Sequence, residues 1–558
     1  MESLRELKEL IANKKYKVIS FDIFDTLLLR PSVYPTDILA LAGRKAGSSE
    51  FYLNLRRNCE RLARTNNNVM SEEIRFENIF SEMSDKYTFS KQEIESLMHN
   101  ELDCEFDLLK PRKAIKEIFD YAKGIGKTVI ITSDIYLSEQ FIGKVLDNCG
   151  YTGFEKLYVS SEYGMTKSSG RLFARVIMDY KSKGISASEI LHLGDNERSD
   201  IAAAEKAGLS TIHVPRVEAL AHKDNRFKRL EMFSERSCDN TFLMGCSINR
   251  IFDDPYVPVG ETSFLDNIQN VSITVIAPML VSFVKWIVSD CKTNDKKHLI
   301  FFNSEGEFVQ KMVEMVKPYI FPELETSRVS FGNRLRRYLN TDFVTLFAKQ
   351  ELTEDDKIKT VSRVLLLSDA DEQVMKLFGK YGYNSMNDAV GTLSVLYDMA
   401  DELNTLFNKK REQEINAFWN NIRKYGNAAF YTNKLRNDLA AADTSTDMNI
   451  YSIVSGTDAP QHNCKSLGQM GLNVRRTLPL FPVIIEKICD FNTETNEEPL
   501  CSVCADVISY AGDFLKTFGE RINLMHMNAY QYFEFLKIAM LEYPDFPTKE
   551  LTEEGEKK

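Results

Sequence analysis

A chain of 558 residues exceeds what one compact core accommodates and sets an expectation of two to four domains. Its 43% hydrophobic and 27% charged residues are ordinary for a globular protein, and a formal net charge of −11 leaves no basic excess for gripping a nucleic-acid backbone. An anionic ligand therefore needs a local cation, a metal or a lysine, rather than attraction by the whole molecule.

Leu4, Leu7, Leu10 and Ile11 repeat at helical spacing and form an amphipathic lead-in helix. The N-terminus has neither a long apolar core nor a cleavage site, so no signal peptide is expected and the compartment reads as cytoplasmic. The apolar run from Val18 to Phe21 then reads as one buried parallel strand, and it stops on Asp22. Asp25 follows within Ile23-Phe24-Asp25-Thr26-Leu27. Two carboxylates this close at a strand's carboxyl end either keep a cation between them or mark a plain Asx turn.

Residues 27–110 delay the next strand by more than a loop can span unfolded, and their patterns are helical: Pro35 to Ala42, Phe51 to Ala63, Glu72 to Met83 and Lys91 to Phe106. Ser71 and Ser90 read as helix starts, the latter with Glu93 at capping-box spacing. Arg57, Arg61 and Arg64 share one helix side, which is either a solvated face or a grip for an anion. Pro111 starts the helix that returns to the sheet. Strands Thr128–Thr132, Leu157–Ser160, Ile190–Leu193 and Ser210–Val214 then alternate with helices Ser138–Cys149, Ser169–Lys183 and Asp200–Ala207, the pattern of an α/β doubly wound parallel sheet.

Beyond an irregular polar stretch, Leu299–Phe302, Val329–Phe331 and Asn449–Val454 read as further strands, with helical segments between them. The most apolar segment, Val271 to Val288, is interrupted by Pro278 and Lys285 and reads as a buried helix rather than a membrane span. The ten cysteines are scattered. Cys501 and Cys504 are closely spaced but lack the second pair that a zinc site needs, so reduced, buried thiols are expected.

The strand ends carry the chemistry. The first ends on Asp22 with Asp25 and Thr26, the second on Thr132-Ser133-Asp134, and the third on Gly194-Asp195-Asn196-Glu197-Arg198-Ser199-Asp200, with Lys167 between the last two. This ordered set resembles the haloacid dehalogenase (HAD) superfamily of aspartate-nucleophile phosphohydrolases, over roughly residues 15–220. The resemblance implies a HAD-like, Rossmann-like domain at 1–220 whose helical cap at 27–110 closes the site against water and selects the substrate. It implies that Asp22 attacks phosphorus and that Asp25 protonates the leaving alcohol and then activates water. Thr132 or its neighbour Ser133 holds phosphoryl oxygens, and Lys167 neutralises charge. Mg²⁺ sits on Asp22, the Ile23 carbonyl and Asp195, with Asp200 as a further ligand or an orienter of Lys167 and Asn196 as an outer ligand. Dehalogenase-type members lack an acid at the position of Asp25, so its presence points to phosphatase chemistry on a small phosphorylated substrate such as a sugar phosphate. A non-catalytic HAD-fold protein is the alternative.

After a linker at 221–265, residues 266–545 are expected to form a second region, α/β at first and then mostly helical, followed by a disordered tail at 546–558. The two-region layout resembles HAD-type hydrolases linked to bacterial surface-polysaccharide and glycosyltransferase genes. Where those members have an Ala-Arg-Asp-Gly-like turn, this chain has Asn303-Ser304-Glu305-Gly306. With Arg328, Arg334, Arg336 and Arg337 that turn is either an anionic-ligand pocket or an acid–arginine pair holding two strands together.

Overall fold

The computed structural model describes residues 3–47, 51–67, 70–223, 238–259, 268–302, 306–330, 335, 372–382, 399–431, 449–452, 463–466, 500–527 and 532. They divide into two compact units: one comprises 1–283 together with 505–558, the other 284–504.

The first unit is built on five parallel strands, β1 (Val18–Phe21), β2 (Thr128–Ser133), β3 (Lys156–Val159), β4 (Ile190–Gly194) and β5 (Ser210–His213), in the order β3-β2-β1-β4-β5. Every residue of β1 is buried, because successive side chains feed two different cores. Ile19 and Phe21 join Val129, Ile131, Leu191 and Leu193 on one face of the sheet, whereas Val18 joins Ile130 and Ile190 on the other. Chain order reverses between β1 and β4, so the crevice at their carboxyl ends is the topological switch point where such sheets bind ligands.

The cap contains four helices, α2 (Thr36–Lys45), α3 (Phe51–Thr65), α4 (Phe76–Lys86) and α5 (Lys91–Leu108), following α1 (Leu4–Ala12). Its two ends are joined by the antiparallel pair Leu28–Leu29 with Lys110–Pro111. Ser90 and Glu93 close the expected capping box at the start of α5. The helix expected from Glu72 starts instead at Phe76, after the N-cap Arg75, because Glu72 and Glu73 are drawn to other partners described below. Arg61 is bonded to Asn58, and Arg64 to Glu60 and Glu73, so these two arginines are committed to the cap itself.

Two parts of the first unit fall outside its expected boundaries. The expected linker contains the helix Cys238–Ile251, whose Phe242, Leu243 and Met244 are buried. It crosses the cap so closely that a Cβ on Gly245 would lie 2.4 Å from the Ser32 amide nitrogen, which demands glycine there. The C-terminal helix Leu500–Phe518 also returns here: the Tyr510 hydroxyl donates to the Leu243 carbonyl at 2.7 Å, and Phe518 packs edge-on against Phe242. The helical stretch Ser272–Thr293 is long and apolar enough to cross a membrane, and 83% of its most apolar window is buried inside the protein.

The second unit has its own parallel sheet of β6 (His298–Phe302), β7 (Glu325–Val329), β8 (Ala428–Tyr431), β9 (Asn449–Ser452) and β10 (Asn463–Ser466), in the order β10-β9-β8-β6-β7. The α/β pattern therefore runs to residue 466 rather than giving way to helices. Asn303, Ser304, Glu305, Arg334, Arg336, Arg337 and the tail at 546–558 lie outside the described residues. Arg328 is described, and it bonds Gln310 at 2.7 Å and pairs with Glu307 at 3.4 Å.

Candidate active site

Asp22 follows β1 and Asp195 follows β4, so the switch point brings both carboxylates into one cavity of about 420 Å³. Ser133, at the end of β2, and Lys167, from the loop before the helix Arg171–Lys181, line it as well. Lys167 is 3% exposed and its ammonium donates to both Asp22 and Asp200. One backbone N–H places that lysine, Lys167 N donating to both oxygens of the Asp134 carboxylate at 2.7 and 2.9 Å. Asp200 reaches the same point through a widened helical turn, Glu197–Ala202. Its carboxylate lies where a Cβ on Gly194 would be, 2.4 Å from Asp200 Cγ, so only glycine fits beneath it. One carboxylate oxygen each of Asp22, Asp195 and Asp200 lies within 4.8 Å of the others.

Burial pushes the Asp22 carboxyl well above the usual range, against the pull of Lys167, and the neighbouring acids add to the rise. Lys167 itself is held above its ordinary value by Asp22, Asp200 and Asp134, which outweigh its desolvation. Asp200 is held below the usual range, because Lys167 and His192 outweigh its burial. The ammonium is therefore permanent and belongs to both acids. Lys167 serves Asp22 and Asp200 while Arg216 serves Asp195, so three buried carboxylates face two cations, and the excess negative charge suits a hard divalent ion with oxygen ligands.

Residues 16–208 match the family model described as haloacid dehalogenase-like hydrolase. This stretch is a haloacid dehalogenase-like hydrolase domain. Solved structures similar to the chain include the L-2-haloacid dehalogenase of Xanthobacter autotrophicus, at 18% identity and TM-score 0.28, over 37% of this chain and 82% of that one. Another is YfnB of Bacillus subtilis, described as a HAD-hydrolase and bound to magnesium, at 18% identity and TM-score 0.27, over 36% of this chain and 89% of that one. No curated protein matches the chain at the same stringency.

Several expected residues of the hydrolase domain stand elsewhere than the sequence suggested. Thr132 is fully buried below the cavity, with its hydroxyl 3.1 Å from Ser20 Oγ. Strand alternation turns Ser133 the other way, and its buried hydroxyl has no protein partner although the residue lines the cavity. The Ile23 carbonyl accepts from both Leu27 N and Leu28 N at 2.8 Å, so its lone pairs are used within the loop and are not available to a metal. Asn196 caps the turn that carries Asp200, accepting from Arg198 N and Ser199 N, which removes it as an outer ligand. Asp25 lines the cavity, but its backbone is left-handed, with φ 60°, and the acid beside it is Asp195 rather than Asp22. Burial and Asp195 raise its carboxyl pKa, against Arg30, Arg216 and Arg112.

The hydrolase domain also uses residues that the motif reading passed over. Asp134, directly after Ser133, fixes the lysine loop. Arg112 is fully buried and donates to the carbonyls of Asp25, Pro215, Phe252 and Asp253, which ties the Asp25 turn to the loop beyond β5. Arg216, on that loop, donates from Nε to Asp195 Oδ2. Glu72 of the cap accepts from Thr166 N at 2.9 Å, Ser169 Oγ at 2.6 Å and Arg171 Nη1 at 3.2 Å, all on the segment that carries Lys167. Arginines outside the strand-end motifs give no local pattern to read; Asp134 alone stood next to a recognised position.

Proposed function

We propose that the hydrolase domain is a Mg²⁺-dependent phosphomonoesterase acting on a small phosphorylated metabolite through an aspartyl-phosphate on Asp22. The observation that carries this reading is the cavity floor: a buried carboxylate bound to a fixed lysine, beside a buried hydroxyl, Ser133, whose hydrogen-bonding capacity is unused. Asp22 attacks phosphorus, Lys167 offsets charge on the nucleophile and the transferred group, and Ser133 donates to a phosphoryl oxygen. Asp22, Asp195 and Asp200 are the residues that would hold Mg²⁺, which when bound supplies charge neutralisation for the incoming phosphate. Asp25, whose carboxyl is raised by burial and by Asp195, serves the leaving oxygen. The three clustered acids favour phosphate over haloacid chemistry, because a carboxylate attacking carbon gains nothing from two further negative charges beside it. A cavity of about 420 Å³ fits a small ligand of monosaccharide-phosphate size.

The test is turnover of an aryl phosphate, a panel of sugar phosphates and a 2-haloacid by the full chain, with and without Mg²⁺. We expect Mg²⁺-dependent phosphate release that drops by about 10³-fold or more in Asp22→Asn. Turnover of the haloacid alone, or phosphatase activity that survives Asp22→Asn, overturns the reading.

A further inference from the structure

The two cations on the acidic cluster are held very differently. Lys167 is 3% exposed and bridges Asp22 and Asp200 from beneath. Arg216 holds Asp195 from the solvent side, with its side chain 41% exposed, on a loop rather than in a strand or helix. Asp195 is left with its other carboxylate oxygen, Oδ1, which lies 3.5 Å from the Thr26 hydroxyl. A carboxylate already engaged by a guanidinium offers less charge to a second cation, so an ion entering among Asp22, Asp195 and Asp200 competes with Arg216 for Asp195. Arg216 is free to give way where Lys167 is not: it borders the open cavity, and Asp25 and Glu218 lie within its electrostatic reach to receive it.

We infer that Arg216 is an exchangeable counter-ion of Asp195: it stabilises the acidic cluster when no metal is bound and yields Asp195 to a divalent cation. The inference rests on the metal site of the proposed function and adds to it a residue that sets the threshold for loading. Because the guanidinium must be displaced, metal affinity is lower than the three carboxylates alone would give, and the metal-free protein is more stable than they would allow.

The experiment measures Mg²⁺ binding to the full chain by titration calorimetry, and melting temperature with and without Mg²⁺. The proteins compared are the wild type, Arg216→Met, Arg198→Met and Asp195→Asn. Arg198 lines the same cavity and controls for loss of positive charge alone. We expect Arg216→Met to bind Mg²⁺ about threefold to tenfold more tightly, the scale of one partly exposed ion pair, with Arg198→Met changed by less than about twofold. We also expect Arg216→Met to melt lower than wild type without metal and to recover when Mg²⁺ is added. Equal tightening in both arginine variants makes the effect one of general field and overturns the exchange. Unchanged affinity in Arg216→Met overturns it too, and leaves the metal site standing if Asp195→Asn abolishes binding. No binding by any of the four removes the metal site and the inference together.

Discussion

Beneath the cavity, the ring of fully buried His192 meets Ser20 Oγ at 2.9 Å and Asp200 Oδ1 at 3.2 Å. A carboxylate can only accept, so Nε2 carries the proton, and Nδ1 accepts from Ser20, which in turn accepts from Thr132. The ring is satisfied when neutral, and burial pushes its pKa below the ordinary 6.5 despite Asp200. A depressed pKa in the folded state means that the unfolded chain binds the extra proton first. The stability contributed by this residue is thus complete above pH 6.5 and is lost as the pH falls below it. Chemical denaturation between pH 7 and 5 should show stability falling at up to about 1.4 kcal/mol per pH unit from this proton, with a shallower slope in His192→Gln. The same chain of bonds explains what the sequence could and could not tell. Asp22, Lys167, Asp195 and Asp200 were legible because each stands at a strand end or loop in a fixed order. Ser133 over Thr132 was not, because strand parity is settled only when the last paired residue is known, and a carbonyl such as that of Ile23 leaves no trace in sequence of where it points.

Among the elements, the cap buries a charged pair inside its apolar core. Arg56 of α3 is fully buried, bonds both oxygens of Glu101 on α5 at 2.9 and 2.7 Å, and packs against Phe76, Phe80 and Tyr136. Removing one partner of such a pair leaves an uncompensated buried charge. Arg56→Met should cost about 3–5 kcal/mol in denaturant melts, and Arg56→Met with Glu101→Gln should recover part of that loss. The four cap helices were readable from their 3.6-residue periodicity, which is local. The start of α4 was misplaced because Glu72, a good first-turn acid, is spent on the lysine loop instead. β8 and β10 were missed for a similar reason: Ala428–Tyr431 is too short to show alternation, and the edge strand Asn463–Ser466 is polar.

Over the whole molecule, chain order and spatial order part company at the C-terminus. The helix Leu500–Phe518 lies far along the sequence, yet Tyr510 and Phe518 cover Leu243 and Phe242, and the Arg521 guanidinium bonds Asp107 of the cap. A boundary drawn on composition separates these partners, since nothing local in either segment names the other. Truncation after residue 499 should therefore uncover Phe242 and Leu243, lower the melting temperature of the hydrolase domain and increase binding of a hydrophobic dye.

The segment that carries Lys167 is anchored to two layers at once, to the core through Asp134 and to the cap through Glu72. The ammonium that holds Asp22 therefore sits on a loop clamped from both sides, and a change in either the core or the cap reaches Asp22 through the same few residues.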